Sequence, residues 1–227
     1  MTNKSLPPQR IAVLIDGAFF LKRFFKQYDV EQKMSAFQVA NAMNQMVHDH
    51  IRRNDVLYRV FYYDCTPLSK TVCNPVSHKN ISFGNTSVYK FKKALFEELK
   101  KKRKFALRLG ELKDHSIWRL KGGLLKKLID KNISIEDLKE DDVFLELKQQ
   151  GIDMKIGVDI ASVSFKRLVD KIVLFAGDSD FVPAAKLARR EGIDFVLDPM
   201  NANIDPSLNE HIDGIHQAKY KLPDERK

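Results

Sequence analysis

The chain has 227 residues and a formal net charge of +9, and 44% of its residues are hydrophobic, which is typical of a globular protein with a sizeable core. It contains no apolar stretch of membrane-spanning length, and its first residues lack the apolar segment expected of a signal peptide. Its two cysteines, Cys65 and Cys73, make no disulfide framework. We therefore expect a cytoplasmic protein that does not enter a membrane.

Apolar runs of strand length alternate with segments of helix length along the chain. This alternation predicts an α/β protein whose parallel strands are buried on both faces of a sheet. The predicted strands are residues 11–15, 56–63, 105–111, 172–176 and 193–197. The predicted helices are residues 17–28, 34–53, a basic helix that includes 88–99, residues 153–169, 181–190 and a short helix near 208–212.

Two segments interrupt this alternation. Residues 65–86 are rich in proline, serine and asparagine, and they are predicted to form a long irregular loop. Residues 119–150 are predicted to form a helical insertion, in which a lysine-rich helix is followed by an acidic helix that begins with a capping box at Ser134. We expect one domain over residues 10–215, with tails at residues 1–9 and 216–227.

Four of the apolar runs end on an aspartate. Asp16, Asp64 and Asp198 follow their runs directly, and Asp178 follows after one glycine. Ligands of open parallel sheets bind at the carboxyl ends of the strands. Carboxylates gathered there repel each other unless a cation lies between them, so the pattern predicts a Mg²⁺ or Mn²⁺ site. Asp64, which enters a long loop, and Asp198, which precedes a proline, are second choices.

The most specific string is Gly177–Phe181, in which Asp178 and Asp180 stand at the start of a predicted helix. One aspartate is enough to cap a helix and to complement its dipole. The second acid exceeds what capping needs, so we favour a metal role for the pair. Ser179 between them either positions a water molecule or a phosphate oxygen, or caps the helix.

The helix predicted over residues 153–169 supplies two further acids. Asp153 lies at the helix start, where it is either a metal ligand or an N-terminal cap. Asp159 lies on a polar stripe, where pairing with Lys155 explains it, and it is another second choice. An apolar stripe is predicted to face the core: Met154, Val158, Ala161, Phe165 and Leu168.

Basic residues are concentrated between residues 90 and 127, which contain fourteen Lys and Arg against four acids, a net charge of +10. The densest part is Lys100, Lys101, Lys102, Arg103 and Lys104. Beside an acidic metal site, such a cluster favours a polyanionic partner, because Lys and Arg neutralise phosphates. On charge alone, a solvated surface explains these side chains equally well.

Two other kinds of site find little support. Cys65, Cys73 and His78 do not have the usual spacing of zinc ligands, and a fourth ligand is missing. The chain also has no Gly-x-Ser-x-Gly turn for a nucleophilic serine.

With these motifs the chain resembles the NYN domain, a branch of the PIN-like nucleases. The resemblance rests on Ile11–Gly17, Gly151–Asp159 and Val173–Pro183, and it extends from about residue 10 to about residue 215. It implies a Rossmann-like three-layer sandwich with a central, mainly parallel five-stranded sheet in the order 3-2-1-4-5. It also implies a Mg²⁺- or Mn²⁺-dependent nuclease site whose matching acids are Asp16, Asp153, Asp178 and Asp180.

The implied activity is hydrolysis of phosphodiester bonds, and the association of the family with RNA processing and decay favours an endoribonuclease acting on single-stranded RNA. Nothing in the residues distinguishes a reader of RNA from a binder of single-stranded DNA, and nothing indicates the oligomeric state.

The chain also departs from the family. Many members carry asparagine three residues after the first aspartate, where this chain has Phe19, and the usual Lys-Gly before the helix acid is Gln150-Gly151. Phe19 supports an alternative, a non-catalytic RNA-binding or regulatory module on the same fold. Phosphatases of the haloacid-dehalogenase type need Asp-x-Asp after the first strand, and topoisomerase-primase domains need a glutamate there; Asp16–Ala18 provides neither.

Overall fold

The computed structural model describes residues 7–29 and 31–221, except for the side chains of residues 113–116 and 148–149. Within these residues the strands are β1 (Arg10–Asp16), β2 (Val56–Cys65), β3 (Thr71–Cys73), β4 (Asn80–Ser82), β5 (Phe105–Leu120), β6 (Val143–Gln150), β7 (Lys171–Phe175), β8 (Asp194–Asp198) and β9 (Gly214–Ile215). The helices are α1 (Gly17–Tyr28), α2 (Ala36–Asp49), α3 (Ser87–Lys100), α4 (Leu124–Ile129), α5 (Ile152–Phe165), α6 (Val182–Arg190) and α7 (Pro206–Asn209).

The chain forms two compact units. The first unit comprises residues up to 64, residues 94–110 and residues from 151 onward, and the second unit comprises residues 65–93 and 111–150. The second unit is larger than the predicted insertion at 119–150, because the predicted loop folds with that insertion. Asn74 donates a hydrogen bond to the carbonyl of Glu140 at 3.2 Å, and Lys79 forms an ion pair with the same glutamate.

A mainly parallel sheet flanked by helices forms the first unit. Its strand order is β5-β2-β1-β7-β8-β9, and β1 runs parallel to both β2 and β7. The predicted order 3-2-1-4-5 is confirmed for the first five of these strands along the chain. The two-residue strand β9 beside β8 is a sixth strand that the sequence did not predict.

Burial on both faces explains why the central strands are continuous apolar runs. Residues 11–15 of β1 and residues 172–175 of β7 are fully shielded from solvent. Phe20 and Phe24 of α1 are fully buried as well, and Phe20 contacts Phe175 of β7 with ring centroids 6.0 Å apart. The sequence therefore encodes the centre of the sheet directly.

Two predictions for the second unit were wrong. The predicted loop at 65–86 contains an antiparallel pair, β3 with β4, in which Thr71 lies opposite Ser82. Within residues 134–150, which the structure describes, the acidic helix predicted from Ser134 is absent. Ser134 and Asp137 do form a capping box, but it opens a single 3₁₀ turn, and strand β6 follows a second such turn.

The physical reason is that β6 finds a partner that the local sequence does not show. Strand β5 continues to Leu120 instead of ending near residue 111, and its second half pairs antiparallel with β6 from Glu111–Gln150 to Leu120–Val143. Three consecutive acids, residues 140–142, would also lie unfavourably near the carboxyl end of a helix starting at 134. Long-range pairing therefore overrode the local capping signal.

The core-facing side of α5 was also predicted wrongly. The buried residues of this helix are Ile152, Ile156, Ile160, Val163 and Ser164. Met154, Val158 and Phe165, which were predicted to face the core, are 74%, 60% and 60% exposed. Both sets have helical spacing, so the period alone cannot tell which face is covered.

None of the described helices is long and apolar enough to cross a membrane.

Candidate active site

Asp16 stands where β1 ends and α1 begins. Its carboxylate oxygen Oδ1 accepts a hydrogen bond from the backbone N–H of Phe19 at 3.1 Å and so caps α1. The adjacent Gly17 has no room for a side chain, because an added Cβ would lie 2.6 Å from the ring of Tyr62 and from the carbonyl oxygen of Tyr63. This close approach holds Asp16 at the carboxyl end of the strand.

Asp178 and Asp180 follow the neighbouring strand, β7. Asp178 accepts a hydrogen bond from the backbone N–H of Asp180 at 3.2 Å and caps the 3₁₀ turn that leads into α6, and both acids are exposed. Because Ile15 of β1 is paired in register with Phe175 of β7, the turns after both strands open at the same edge of the sheet. Ser179 lies between the two acids at the first position of the turn.

Asp153 approaches the same edge from α5. It lies in the first turn of this helix, after Gly151, whose φ of +77° is in the left-handed region that favours glycine. Its side chain is exposed. From the sequence, Asp153 was predicted to be either a metal ligand at the strand edge or an N-terminal cap. In the structure the N-cap position is occupied by Gly151, and Asp153 lies inside the first turn.

The pKa values of two of the four acids, Asp16 and Asp153, are raised. Burial raises the pKa of Asp16, the hydrogen bond from Phe19 opposes that change, and the charge of Asp153 raises the pKa further. Although Asp153 is exposed, partial shielding from solvent raises its pKa, and the charges of Asp180 and Asp178 add to this effect. The structure therefore brings the four predicted acids, Asp16, Asp153, Asp178 and Asp180, into one electrostatic environment, named here the acid cluster.

The acid cluster suits a hard divalent cation by its chemistry, since all its donors are carboxylate oxygens. In the described part of the chain, no three His, Cys, Asp or Glu side chains are arranged closely enough to coordinate one metal ion as they stand. Burial is the main cause of the raised pKa values of Asp16 and Asp153, and repulsion from neighbouring carboxylates adds to it. A cation between the carboxylates relieves such repulsion. Capping uses Oδ1 of Asp16 and of Asp178, and a carboxylate has two oxygens, so capping and coordination are compatible.

The three second-choice acids differ in their surroundings. Asp64 is buried, accepts a hydrogen bond from the hydroxyl of Tyr62 at 3.3 Å, and its charge contributes to the raised pKa of Asp16. Burial, followed by the charge of Asp64, raises the pKa of Tyr62 well above its usual value. Asp64 is therefore a buried neighbour of the acid cluster.

Asp198 has a structural set of partners. It is fully buried, and its oxygens accept hydrogen bonds from the backbone N–H groups of Met200 and Ala218, each at 2.9 Å. Nε2 of His50 lies 2.9 Å from Oδ2 of the same carboxylate. These contacts tie the end of β8 to α2 and to the chain near residue 218.

Asp159 does not pair with Lys155 as predicted. Its oxygen Oδ2 accepts hydrogen bonds from the hydroxyl of Tyr63 at 2.9 Å and from Nε of Arg108 at 3.0 Å. The guanidinium of Arg108 also lies over the ring of Phe61, 5.1 Å from its centroid. This network connects β2, β5 and α5 beside Asp16, whose partner in the β1–β2 register is Tyr63. No signal in the sequence linked these residues, because they come from three distant segments.

Phe19, which replaces the family asparagine, belongs to the same edge. A Cβ added to Gly177 would lie 3.0 Å from Cε2 of the Phe19 ring, so this ring packs against the turn that carries Asp178. An apolar ring thus borders the acid cluster between Asp16 and Asp178.

The residues Lys100–Lys104, named here the basic cluster, lie elsewhere. Lys104 contacts the carbonyl of Leu57 through Nζ, and Leu57 is paired with Ile11 at the start of β1. The seven residues of β1 rise about 3.3 Å each, so this amino edge of the sheet lies about 20 Å from the carboxyl edge with the acid cluster. A cavity of about 550 Å³ borders the basic cluster. Nucleic-acid binding by these residues stays a prediction.

Part of the basic cluster is already paired. Lys100 and Lys101 form ion pairs at 2.7 Å with Glu97 and Glu98, one turn earlier on α3. Lys102 contacts Oδ1 of Asn41 through Nζ.

Comparison with known proteins gives one family. The profile of the NYN domain matches residues 10–205. No curated protein matches the chain significantly. Among solved structures, a protein of unknown function from Vibrio parahaemolyticus is similar with a TM-score of 0.46 and 15% sequence identity, covering 93% of this chain and 94% of that chain. This likeness is too weak to inform fold or function. The family match covers most of the sequence and includes all four residues of the acid cluster, and the chain belongs to the NYN domain family, which is PIN-like.

Proposed function

We propose that this protein is a metal-dependent nuclease that hydrolyses phosphodiester bonds and cleaves single-stranded RNA internally. The observation that supports the proposal best is the acid cluster at the carboxyl edge of the sheet, to which three segments of the chain contribute carboxylates and where burial, together with the charges of neighbouring carboxylates, raises the pKa values of Asp16 and Asp153. Membership in a family of PIN-like nucleases supports the same activity.

Asp16, Asp153, Asp178 and Asp180 would hold the Mg²⁺ or Mn²⁺. The bound ion supplies polarisation of the scissile phosphate and lowers the pKa of a water molecule that acts as the nucleophile. In the hydrolysis, the water oxygen bonds to phosphorus, the bond from phosphorus to the departing nucleotide oxygen breaks, and that oxygen takes a proton.

The chain's own contribution is to hold the carboxylates in place. Asp16 is fixed by its bond to the N–H of Phe19, and Asp178 by its bond to the N–H of Asp180. Preorganised ligands avoid the cost of ordering them when the substrate binds. The hydroxyl of Ser179, which lies between the two acids in the chain, would orient a phosphate oxygen or a water molecule.

RNA is proposed as the substrate because the NYN family is mostly associated with RNA processing and decay. The net charge of +9 favours a polyanionic partner of either kind. The basic cluster would bind the strand's backbone at the amino edge of the sheet, about 20 Å from the acid cluster.

A non-catalytic RNA-binding module is the second candidate, and two observations favour it. The apolar ring of Phe19 packs on Gly177. Many members of the family carry a polar asparagine at the position of Phe19. Asp16 and Asp178 also both serve as helix caps, which explains these two acids without a metal ion.

The deciding experiment incubates the purified protein with end-labelled single-stranded RNA and DNA of the same sequence, with Mn²⁺, with Mg²⁺ and with EDTA. We expect internal cleavage of RNA with either ion and none with EDTA. Binding of RNA without cleavage under every condition would instead establish the non-catalytic module, and preferential cleavage of DNA would overturn the choice of substrate.

A further inference from the structure

The second unit, residues 65–93 and 111–150, contains a cavity of about 350 Å³. No residue of the acid cluster lines this cavity. Its walls are mainly apolar and include Leu68, Phe83, Val88, Tyr89, Leu112 and Leu147. Ligand pockets have volumes of about 300–1,000 Å³ and apolar or aromatic walls with a few polar groups. Lys92 and Thr86 supply polar groups here. The cavity therefore has the size and composition of a site for a small planar group.

The aromatic wall is held in a defined position. Thr86 caps α3: its hydroxyl donates a hydrogen bond to the carbonyl of Phe83 at 2.7 Å and accepts one from the N–H of Tyr89 at 3.2 Å. One side chain thus anchors the backbone of both aromatic residues. A preformed pocket loses little conformational entropy when a ligand binds.

The rim of the cavity is exposed and basic. Val88, in the first turn of α3, is 63% exposed although it is a large apolar residue. Residues 65–93 contain five lysines and no acid, and three of these lysines, at positions 90, 92 and 93, lie on α3. An apolar, aromatic cavity next to a strongly positive surface fits a ligand that has both a planar ring and negative charge.

We propose that this cavity binds one unpaired nucleobase of a single-stranded nucleic acid, with Phe83 and Tyr89 packing on the base and the α3 lysines holding the adjoining phosphates. Every base has an aromatic face, and proteins that bind single strands stack bases on aromatic side chains beside a basic surface. A base paired in a duplex cannot enter such a cavity. The inference rests on the proposed function only in taking the same single strand as the ligand, and it makes unpaired bases a requirement for tight binding.

The test measures binding in EDTA, so that cleavage plays no part. Fluorescently labelled single-stranded RNA and a sugar–phosphate strand of the same length without bases are titrated with the full chain. We expect the strand with bases to bind at least about fivefold more tightly. Equal affinity for the two strands overturns the proposal without the use of any variant.

Variants then locate the effect. Phe83→Ala and Tyr89→Ala are each expected to weaken binding of the strand with bases by about 5- to 100-fold and to leave the abasic strand unchanged. Tyr89→Phe should retain wild-type affinity, because stacking needs only the ring. The matched control is Phe165→Ala, which removes a 60% exposed aromatic side chain of α5 that does not line the cavity. Thermal unfolding confirms that each variant is folded at the assay temperature.

The outcomes separate this inference from the nuclease proposal. A protein that prefers bases, loses that preference in Tyr89→Ala and never cleaves supports the cavity and overturns the nuclease. A protein that cleaves RNA but whose Phe83→Ala and Tyr89→Ala variants bind like the wild type supports the nuclease and overturns the cavity. If the Phe83→Ala and Tyr89→Ala variants lose the same affinity for strands with and without bases, the proposed base-binding cavity is also overturned. The two rings would then contribute only to the shape of a basic surface.

Discussion

The two edges of the central sheet carry opposite charge. At the carboxyl edge, the end of β1, the turn after β7 and the first turn of α5 contribute four aspartates, and the pKa values of Asp16 and Asp153 are raised. At the amino edge, the basic cluster begins with the last residue of α3, and four of its members contact Leu57 or Asn41 or pair with glutamates of that helix. The acid cluster, which we propose carries the chemistry, and the basic cluster, which we propose binds the strand, therefore lie at different ends of the sheet, about 20 Å apart.

The largest effect is expected from Asp178→Asn, which removes one carboxylate from the acid cluster. Asparagine keeps the capping hydrogen bond but removes a carboxylate, so we expect cleavage to fall at least 100-fold, or about 2.7 kcal/mol in transition-state stabilisation. In EDTA the free energy of unfolding should stay level or rise, because repulsion within the acid cluster is relieved. Single-turnover cleavage with Mn²⁺ and urea unfolding in EDTA measure the two effects.

The matched control for that variant is Asp137→Asn. Asp137 is an exposed aspartate that accepts a backbone hydrogen bond from Ser134 at 2.7 Å and lies outside the acid cluster. It should cleave like the wild type. If the Asp178→Asn variant also cleaves at the wild-type rate, Asp178 acts only as a helix cap, and its proposed role in metal binding is wrong.

A second test uses metal ions and pH. The pKa values of Asp16 and Asp153 are raised in the folded state, so these acids favour folding most when protonated and lose that contribution as the pH rises through their folded pKa values. A cation should therefore stabilise the protein most at neutral pH, by about 2.7 kcal/mol at one hundred times its Kd. Thermal unfolding with and without Mn²⁺ between pH 4 and pH 8 measures how this stabilisation by the cation depends on pH. A stabilisation that is independent of pH would place the ion away from these acids.

A third test concerns the backbone that supports the carboxyl edge. Gly17→Ala places a Cβ 2.6 Å from the Tyr62 ring and the Tyr63 carbonyl, so we expect a loss of about 1–3 kcal/mol in the free energy of unfolding. Gly157→Ala on α5 meets no atom within 4 Å and should stabilise the protein by about 0.5–1 kcal/mol, because alanine favours a helix interior. Urea unfolding of both variants compares them, and equal effects would contradict the close packing at Gly17.

The smallest expected effect belongs to the amino edge. Replacing Lys100, Lys101, Lys102 and Arg103 by glutamine should weaken single-strand binding about tenfold and make the slope of log affinity against log salt shallower by up to about 0.7 per lost phosphate contact. The Mn²⁺ requirement and the cleavage rate of bound substrate should not change.

The control for this variant removes four positive charges elsewhere, from Lys121, Lys126, Lys127 and Lys131. If both quadruple variants show the same salt slope as the wild type, the basic cluster is a solvated surface. If only the control changes the salt slope, the phosphates of the strand contact Lys121, Lys126, Lys127 and Lys131 and not the basic cluster.

Much of this site was predictable because its acids follow buried strands. A continuous apolar run ending on Asp16, or on Gly177-Asp178, specifies both the strand and the edge at which its carboxylate emerges. Two sets of partners were out of reach. The bonds of Asp159 to Tyr63 and Arg108, and of Asp198 to His50, join residues whose separation along the chain exceeds any local pattern.

The sequence by itself determined the parallel sheet and the acids at its carboxyl edge, because apolar runs of strand length have to be buried and parallel strands end on one side. The order of its first five strands was implied only by the resemblance to the NYN domain. Tertiary structure alone decided which face of α5 is covered, since Ile156 and Val158 belong to sets of equal helical spacing. It also decided that β6 is a strand, through pairing with β5, and that the basic cluster lies at the opposite edge from the acids. Such outcomes depend on which distant segment packs against which, and a local stretch of sequence does not encode its partner.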